Sequence, residues 1–367
     1  MKKIPVCEPL LGDKELEYVT DCIRTGWISS KGRYIDEFER KFSEFCGVKH
    51  GIATTSGTTA IHLALASVGI SPGDEVIMPD FTMIATADPV VHLGARPVLV
   101  DSEMETWNMD PSLIARKITE KTKAIMVVHI YGHPCDMDPI NELAEKHGLV
   151  VIEDAAEAHG AEYRGKRTGS LGNIGCFSFY ANKIITTGEG GMVVTDDDSI
   201  AEKCRLLKDL AFEKKRFFHR FAGYNFRMTN LQAAVGVGQM DLIDRSVETR
   251  RRNAALYNSL LEGTRGLVLP PEAAWAKNVY WMYTIMLDDS FGITRDELAS
   301  LLAGKGIETR TTFFPMHIQP ALQEFLDKGK YPNSDFLGRA GLNLPSGNTL
   351  KKDDIEYVAD AIKSAAK

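Results

Sequence analysis

Apolar residues fall in short unbroken runs along the first two-thirds of the chain. Residues 75–78, 97–101, 124–129 and 149–154 are such runs, without polar alternation inside them. A strand of that kind is covered on both faces, which is the habit of a parallel sheet. Between the runs lie segments with helical spacing, over residues 59–68 and 137–147 for example. The repeated strand–helix order predicts an α/β layered domain with right-handed crossovers. In such a domain ligands sit outside the carboxyl ends of the strands.

The pattern changes after Gln232. Residues 232–257 predict one long helix rich in arginine (Arg245, Arg250, Arg251, Arg252), followed by Pro270-Pro271. Residues 279–287 then read as a strand, and residues 294–305 as a helix capped by Thr294. This places a boundary within the long helical pattern, with a large domain over residues 1–245 and a small C-terminal domain over 246–367 that packs against it.

Composition narrows the classes. Basic and acidic side chains number 43 and 50 in 367 residues, a formal net charge of −7. No basic run stands out, so a nucleic-acid binder is not expected. The first residues carry no apolar signal core, and no uncharged apolar stretch approaches the roughly 20 residues that span a bilayer. The six cysteines are scattered without a CxxC pair, so neither a metal site nor a disulfide framework is expected. They read as buried reduced thiols of a cytoplasmic protein.

Against that background one lysine carries chemistry. Lys183 follows the apolar, aromatic run Phe177-Ser178-Phe179-Tyr180 and precedes Thr186-Thr187-Gly188-Glu189-Gly190-Gly191 and a further strand pattern, Met192 to Thr195. A lysine at the end of a buried strand is poised for desolvation, which lowers an ammonium pKa and frees an amine to attack a carbonyl. That is what a lysine holding pyridoxal 5′-phosphate (PLP) needs. Asp154 ends a buried strand pattern about thirty residues earlier. It suits the carboxylate that PLP needs against its pyridine nitrogen, although a strand-end acid often only caps the next helix. Ser56-Gly57-Thr58-Thr59 precedes an apolar helical pattern, and a helix N-terminus with hydroxyls is an anion site as well as an ordinary cap. Ser178 is placed to add another hydroxyl. Glu157 is either near the cofactor's ring oxygen or a polar helix residue, His159 reads as structural, and Asn225 alone reads as a turn residue.

The whole chain resembles the nucleotide-sugar aminotransferases of the DegT/DnrJ/EryC1/StrS group, within fold-type I PLP-dependent transferases. The likeness rests on Ser56-Gly57-Thr58-Thr59-Ala60, Val128-His129-Ile130-Tyr131-Gly132, Ile152-Glu153-Asp154-Ala155-Ala156-Glu157, Phe177-Ser178-Phe179 with Asn182-Lys183, Thr187-Gly188-Glu189-Gly190-Gly191 and Gly223-Tyr224-Asn225-Phe226-Arg227. Within the group it resembles most the GDP-perosamine synthases, on Thr25 to Gly32, Asn182 to Met192 and Phe314-Pro315-Met316-His317.

The resemblance implies a mostly parallel sheet of the seven-stranded type in the large domain and a small α+β C-terminal domain. It implies Lys183 as the residue that carries PLP and moves protons as the cofactor cycles to pyridoxamine phosphate (PMP). Asp154 would pair with the pyridine nitrogen, Glu157 would sit near the ring hydroxyl, and Gly57, Thr58 and Ser178 would hold the phosphate. Asn225 would reach the phosphate of a second subunit's cofactor, which makes a two-fold homodimer with shared sites. Trp27, Ser29, Lys31, Arg310 and His317 are looser candidates for the sugar nucleotide. The implied reaction moves an amino group from L-glutamate to a nucleotide-linked 4-keto-6-deoxy sugar, GDP-4-keto-6-deoxymannose first among them.

The chain departs from the family pattern in places. Met83 stands where members usually carry an aromatic residue over the cofactor ring, and Asp88 where close relatives often have asparagine. Asp209-Leu210-Ala211 and Arg216-Phe217-Phe218-His219-Arg220 are also unlike the perosamine type. Other readings stay open in the sequence: a dTDP- or UDP-linked sugar, a keto group at C3, a PLP-dependent sugar dehydratase or a non-catalytic regulator. Lys183 stands against the dehydratase, whose relatives carry histidine there. The intact set of Lys183, Asp154 and Ser178 stands against the regulator. Gly188-Glu189-Gly190-Gly191 is not the dinucleotide fingerprint, which stands against an oxidoreductase.

Overall fold

The computed structural model describes residues 3–215 and 217–366. The continuous apolar runs form a seven-stranded sheet. Its strands are β1 (His50–Thr54), β2 (Glu75–Pro79), β3 (Arg96–Val100), β4 (Thr122–Val128), β5 (Val150–Asp154), β6 (Ile174–Ser178) and β7 (Gly191–Thr195), in the spatial order β1-β7-β6-β5-β4-β2-β3. β7 alone runs against the rest, pairing antiparallel with both β1 and β6. The strands from β6 across to β3 are parallel.

Both faces of this sheet are covered. On β5, Ile152 joins one apolar cluster with Leu63 and Ala64 of the helix Gly57–Ser67, while Val151 joins another with Ile125, Val127 and Ile140. A strand with apolar residues on successive positions is stable only in that setting. The helix Met137–His147 agrees with the sequence reading at both ends.

A second, antiparallel sheet is built from β8 (Leu267–Val268), β9 (Tyr283–Leu287), β10 (Arg310–Thr311) and β11 (Gly341–Leu344), in the order β8-β9-β11-β10. It has its own apolar cluster, with Tyr257, Ile285, Leu298, Leu342 and Val358. The helix Arg295–Gly304 begins as expected at Thr294, whose hydroxyl accepts from the Glu297 N–H in a reciprocal cap.

Two expectations need correction. The long helix over residues 232–257 is two helices, Asn230–Met240 and Ile243–Leu261, with a turn at Asp241 and Leu242. The first packs on the helices Asp13–Thr25 and Arg33–Cys46, and the second carries Ala254, Tyr257 and Leu261 into the second core. One straight axis cannot serve both cores, and Asp241, at the turn, is tied to Lys14. The strand over residues 279–287 is only β9. Tyr280 adopts φ 47°, fixed by the Asn278 side chain accepting from its N–H at 2.8 Å, and this turns Trp281 and Met282 out of the sheet direction. The position 245/246 lies inside the helix Ile243–Leu261. Among the described residues no helix is long and apolar enough to cross a membrane. All six cysteines are free, and all but Cys7 are buried.

Candidate active site

The carboxyl ends of β4, β5 and β6 open on a cavity of ≈ 340 Å³, lined among others by Gly57, Thr58, Met83, Asp154, Glu157, Ser178, Lys183 and Arg310. Eight residues that the sequence singles out are therefore brought together from five separate stretches of chain.

Lys183 is not at the end of a strand. β6 stops at Ser178, and the chain leaves the sheet in a turn in which the Lys183 N–H donates to the Tyr180 carbonyl at 2.9 Å. The Lys183 ammonium lies 3.6 Å from the centre of the Trp281 ring. Burial pulls its pKa below the ordinary lysine value, while the nearby carboxylates of Glu157 and Asp154 pull it back up.

Asp154 ends β5 and is 5 % exposed. The Thr86 hydroxyl donates to its Oδ2 at 2.8 Å, and the Ala156 N–H reaches its Oδ1 at 3.2 Å. Burial raises its pKa despite these donors and Lys183. Glu157 takes the Tyr131 N–H on Oε2 at 2.7 Å, and burial pushes its pKa up to about 7 against the pull of Lys183.

The helix Gly57–Ser67 aims its N-terminus into the same cavity. Ser56 caps it reciprocally with Thr59. Gly57 sits against the end of β6: a Cβ there would lie 2.7 Å from the Ser178 Cβ. Only glycine lets the helix start approach the Ser178 hydroxyl so closely. The result is a corner of helix N–H groups and hydroxyls suited to an anion.

These features fit PLP as a set. A desolvated amine, a buried carboxylate with lone pairs to spare and an anion-holding corner face one space, which matches an aldehyde, a pyridinium and a phosphate. Met83, at the aromatic position of the family pattern, lines this space and is 48 % exposed.

Other expected residues lie elsewhere. Trp27 and Lys31 line a separate cavity of ≈ 630 Å³ beside Asp21, Arg33 and Asn230, and the Ser29 carbonyl accepts from the Asn230 N–H at 2.6 Å. His317 has its ring held between Asp80 at 2.8 Å and Asp335 at 3.2 Å, stacked on Tyr331. Asn225 accepts from Arg227, which also pairs with Asp209. His159 packs among Phe42, Phe177 and Phe179, and burial lowers its pKa to about 3. Arg216 of the divergent loop lies outside the described residues. Sequence reasoning missed Trp281, hidden in an apparent strand, and Thr86, a common residue type with no motif.

The profile of the DegT/DnrJ/EryC1/StrS aminotransferase family matches residues 9–363. The GDP-perosamine synthase of Caulobacter vibrioides is 47% identical over 364 residues, covering 99% of this chain and 98% of that protein. The crystal structure of Streptomyces venezuelae DesV in complex with a ketimine intermediate superposes with a TM-score of 0.93 at 35% identity, covering 100% of both chains. The PLP form of the putative sugar aminotransferase Spr1654 from Streptococcus pneumoniae gives a TM-score of 0.93 at 26% identity, covering 99% of this chain and 98% of that one. The residue motifs, the sheet and the full-length match agree: the chain belongs to the DegT/DnrJ/EryC1/StrS aminotransferase family.

Proposed function

We propose that the protein is a PLP-dependent aminotransferase that moves an amino group from L-glutamate to a GDP-linked 4-keto-6-deoxy sugar, converting GDP-4-keto-6-deoxymannose to GDP-perosamine. The observation that carries the chemistry is the convergence of Lys183, Asp154 and the Gly57–Ser178 corner on one cavity. The choice of sugar is supported by the full-length likeness to the Caulobacter vibrioides enzyme.

When bound, PLP supplies an electron sink conjugated to the substrate nitrogen. The residues would do the rest. Lys183 is the amine that would hold the aldehyde at rest. Freed by the donor amine, it would be the base that accepts the α-proton and gives it back, and burial favours the neutral amine that this needs. The same amine would move the proton in the half-reaction with the ketosugar. Asp154 would keep the pyridine nitrogen protonated, with Thr86 aiming its carboxylate. Glu157 would serve the ring hydroxyl. Gly57, Thr58 and Ser178 would hold the phosphate, and Met83 would cover the ring through its thioether.

Arg310 is proposed for the sugar nucleotide inside the cavity. Trp27, Ser29, Lys31 and His317 are proposed for the same ligand, and Asn225 for the phosphate of a second copy's cofactor, in a two-fold homodimer with shared sites. The two sheets with separate cores support a division into large and small domains about the helix Ile243–Leu261. Six free cysteines support a cytoplasmic location.

Borohydride reduction of the PLP-loaded protein, followed by peptide mass mapping, should tag Lys183. A tag elsewhere overturns the site. Turnover with glutamate should be fastest on the GDP-linked 4-ketosugar. Faster turnover on dTDP- or UDP-linked or 3-keto substrates overturns the choice of sugar and leaves the chemistry standing.

A further inference from the structure

Arg250 is 1 % exposed, yet all its partners are uncharged. Its Nη1 donates to the Trp281 carbonyl at 2.7 Å and approaches the Ser346 carbonyl at 3.5 Å, its Nη2 lies 3.3 Å from the Cys7 sulfur, and its Nε has no partner among the described residues. Lys208, a cation less deeply enclosed, is by contrast paired with Glu39 at 2.7 Å. A buried cation without a carboxylate is costly, so its charge calls for a reason beyond tying loops together. A neutral amide would bond the same carbonyls without that cost.

The reason lies in what its partners touch. The Trp281 indole N–H donates to the Asn182 carbonyl at 2.9 Å, and the Cys7 thiol reaches the same carbonyl at 3.5 Å. The Trp281 ring faces the Lys183 ammonium. Both groups that hold residue 182 are thus themselves held by Arg250.

We propose that Arg250 is a positioning residue for Lys183: through Trp281 and Cys7 it fixes the Asn182 carbonyl, and it sets an unpaired guanidinium against the backbone of the residue whose ring Lys183 faces. This rests on Lys183 being the reactive amine. The groups facing Lys183 divide into two sets: Glu157, Asp154, the Cys7 thiol and the face of the Trp281 ring favour the ammonium, and burial and Arg250 oppose it, with the neutral ring of His159 nearby. Without Arg250 burial alone would oppose the two carboxylates, so more of the lysine would be charged, and a charged lysine is no base.

The test uses full-length, cofactor-free protein. Wild type, Arg250→Gln and Arg250→Lys are labelled with acetic anhydride across pH, and the Lys183 peptide is quantified by mass. In Arg250→Gln the labelling midpoint should rise by about one pH unit. In Arg250→Lys, which keeps the charge and loses the fork, it should stay near wild type. In the loaded enzyme Arg250→Gln should lower kcat about tenfold with the glutamate KM within about twofold. An unmoved midpoint in Arg250→Gln, or an equal shift in both variants, overturns the proposal. If Arg250→Gln does not fold, Arg250→Met takes its place: a midpoint above that of Arg250→Lys supports the electrostatic role, and equal midpoints overturn it. Borohydride tagging of wild type reports on Lys183 separately, so loss of the site reading and loss of the Arg250 role give different results.

Discussion

Glu153 and Asp154 are neighbours on one strand, both buried, and they point to opposite faces of the sheet. On one face Glu153 is saturated. Its two oxygens accept the N–H groups of Gly169, Leu171 and Gly172 at 2.7 to 2.8 Å, and His129 Nε2 lies 3.0 Å away. The Cys135 N–H donates to the other ring nitrogen of His129 at 3.0 Å, so Nε2 carries the proton and donates to Glu153. On the other face Asp154 has one hydroxyl and one longer N–H, and it opens on the cavity beside Lys183. Burial is common to both carboxylates. What separates them is unspent hydrogen-bonding capacity: Glu153 has nothing left to offer a ligand, and Asp154 has lone pairs and a pKa already raised by burial.

The sharpest way to break this comparison is to neutralise each in turn. Asp154→Asn should lower kcat about a thousandfold, because an amide cannot keep a pyridine nitrogen protonated. The melting temperature of the cofactor-free protein should hold or rise, since an under-bonded buried charge is removed. Glu153→Gln should do the reverse. Turning an acceptor oxygen into an NH₂ against backbone donors should cost about 2–4 kcal/mol in denaturant unfolding, with kcat per folded molecule within a few-fold. If Glu153→Gln abolished turnover in well-folded protein, the division of labour between the two faces would be wrong.

Asp154 was legible in the sequence as the acid that closes the run, but the saturation of Glu153 beside it was not. Both end the same apolar run, and the saturation of Glu153 depends on Gly169, Leu171 and Gly172, a loop with no motif. The sheet itself was legible, because doubly buried strands are written as continuous apolar runs. Lys183, Asp154 and the Ser56–Thr59 helix start were legible because each sits where a strand pattern or helix pattern meets a polar residue. Trp281 was not, because the turn that redirects it hangs on one side-chain bond from Asn278 to Tyr280. The break at Asp241 and Leu242 was hidden because no glycine or proline marks it and apolar spacing continues across it. Arg250 looked like one of four arginines on a long helix, and only the packing of Cys7, Trp281 and Ser346 around it sets it apart.

Glu157 extends the comparison to pH. Its pKa is raised from the usual carboxylate value to about 7, and that of Asp80 to about 6, in both cases chiefly by burial. For an acid raised in the folded state, stability is fully present below the unfolded value and is lost as pH rises through the folded one. The cofactor-free protein should therefore lose stability between about pH 4.5 and 7. Glu157→Gln should remove part of that slope, raising stability at pH 7.5 relative to wild type and leaving it unchanged near pH 4.5. Thermal melts across this range decide it, and a variant slope equal to wild type would show that Glu157 is not held protonated. Glu153→Gln should show no such gain at high pH.

The smallest effect expected comes from moving Asp154 further along the same scale. Thr86→Val is nearly isosteric and removes the 2.8 Å donor to Oδ2, while Thr82, whose hydroxyl contacts that of Thr86 at 2.9 Å, stays in place. Loss of one buried hydrogen bond to a charged acceptor costs about 1–2 kcal/mol when the acceptor stays ionised. Asp154 has an escape that Glu153 lacks, because it faces the cavity and the Lys183 amine. The penalty should therefore fall on its charged form: kcat should drop about fivefold, and the acidic limb of the pH–rate profile should move upward, with a melting temperature nearly unchanged. A fall in stability with an unmoved acidic limb would mean that Thr86 holds Asp154 as the glycine loop holds Glu153, and the contrast between the two faces would be one of degree.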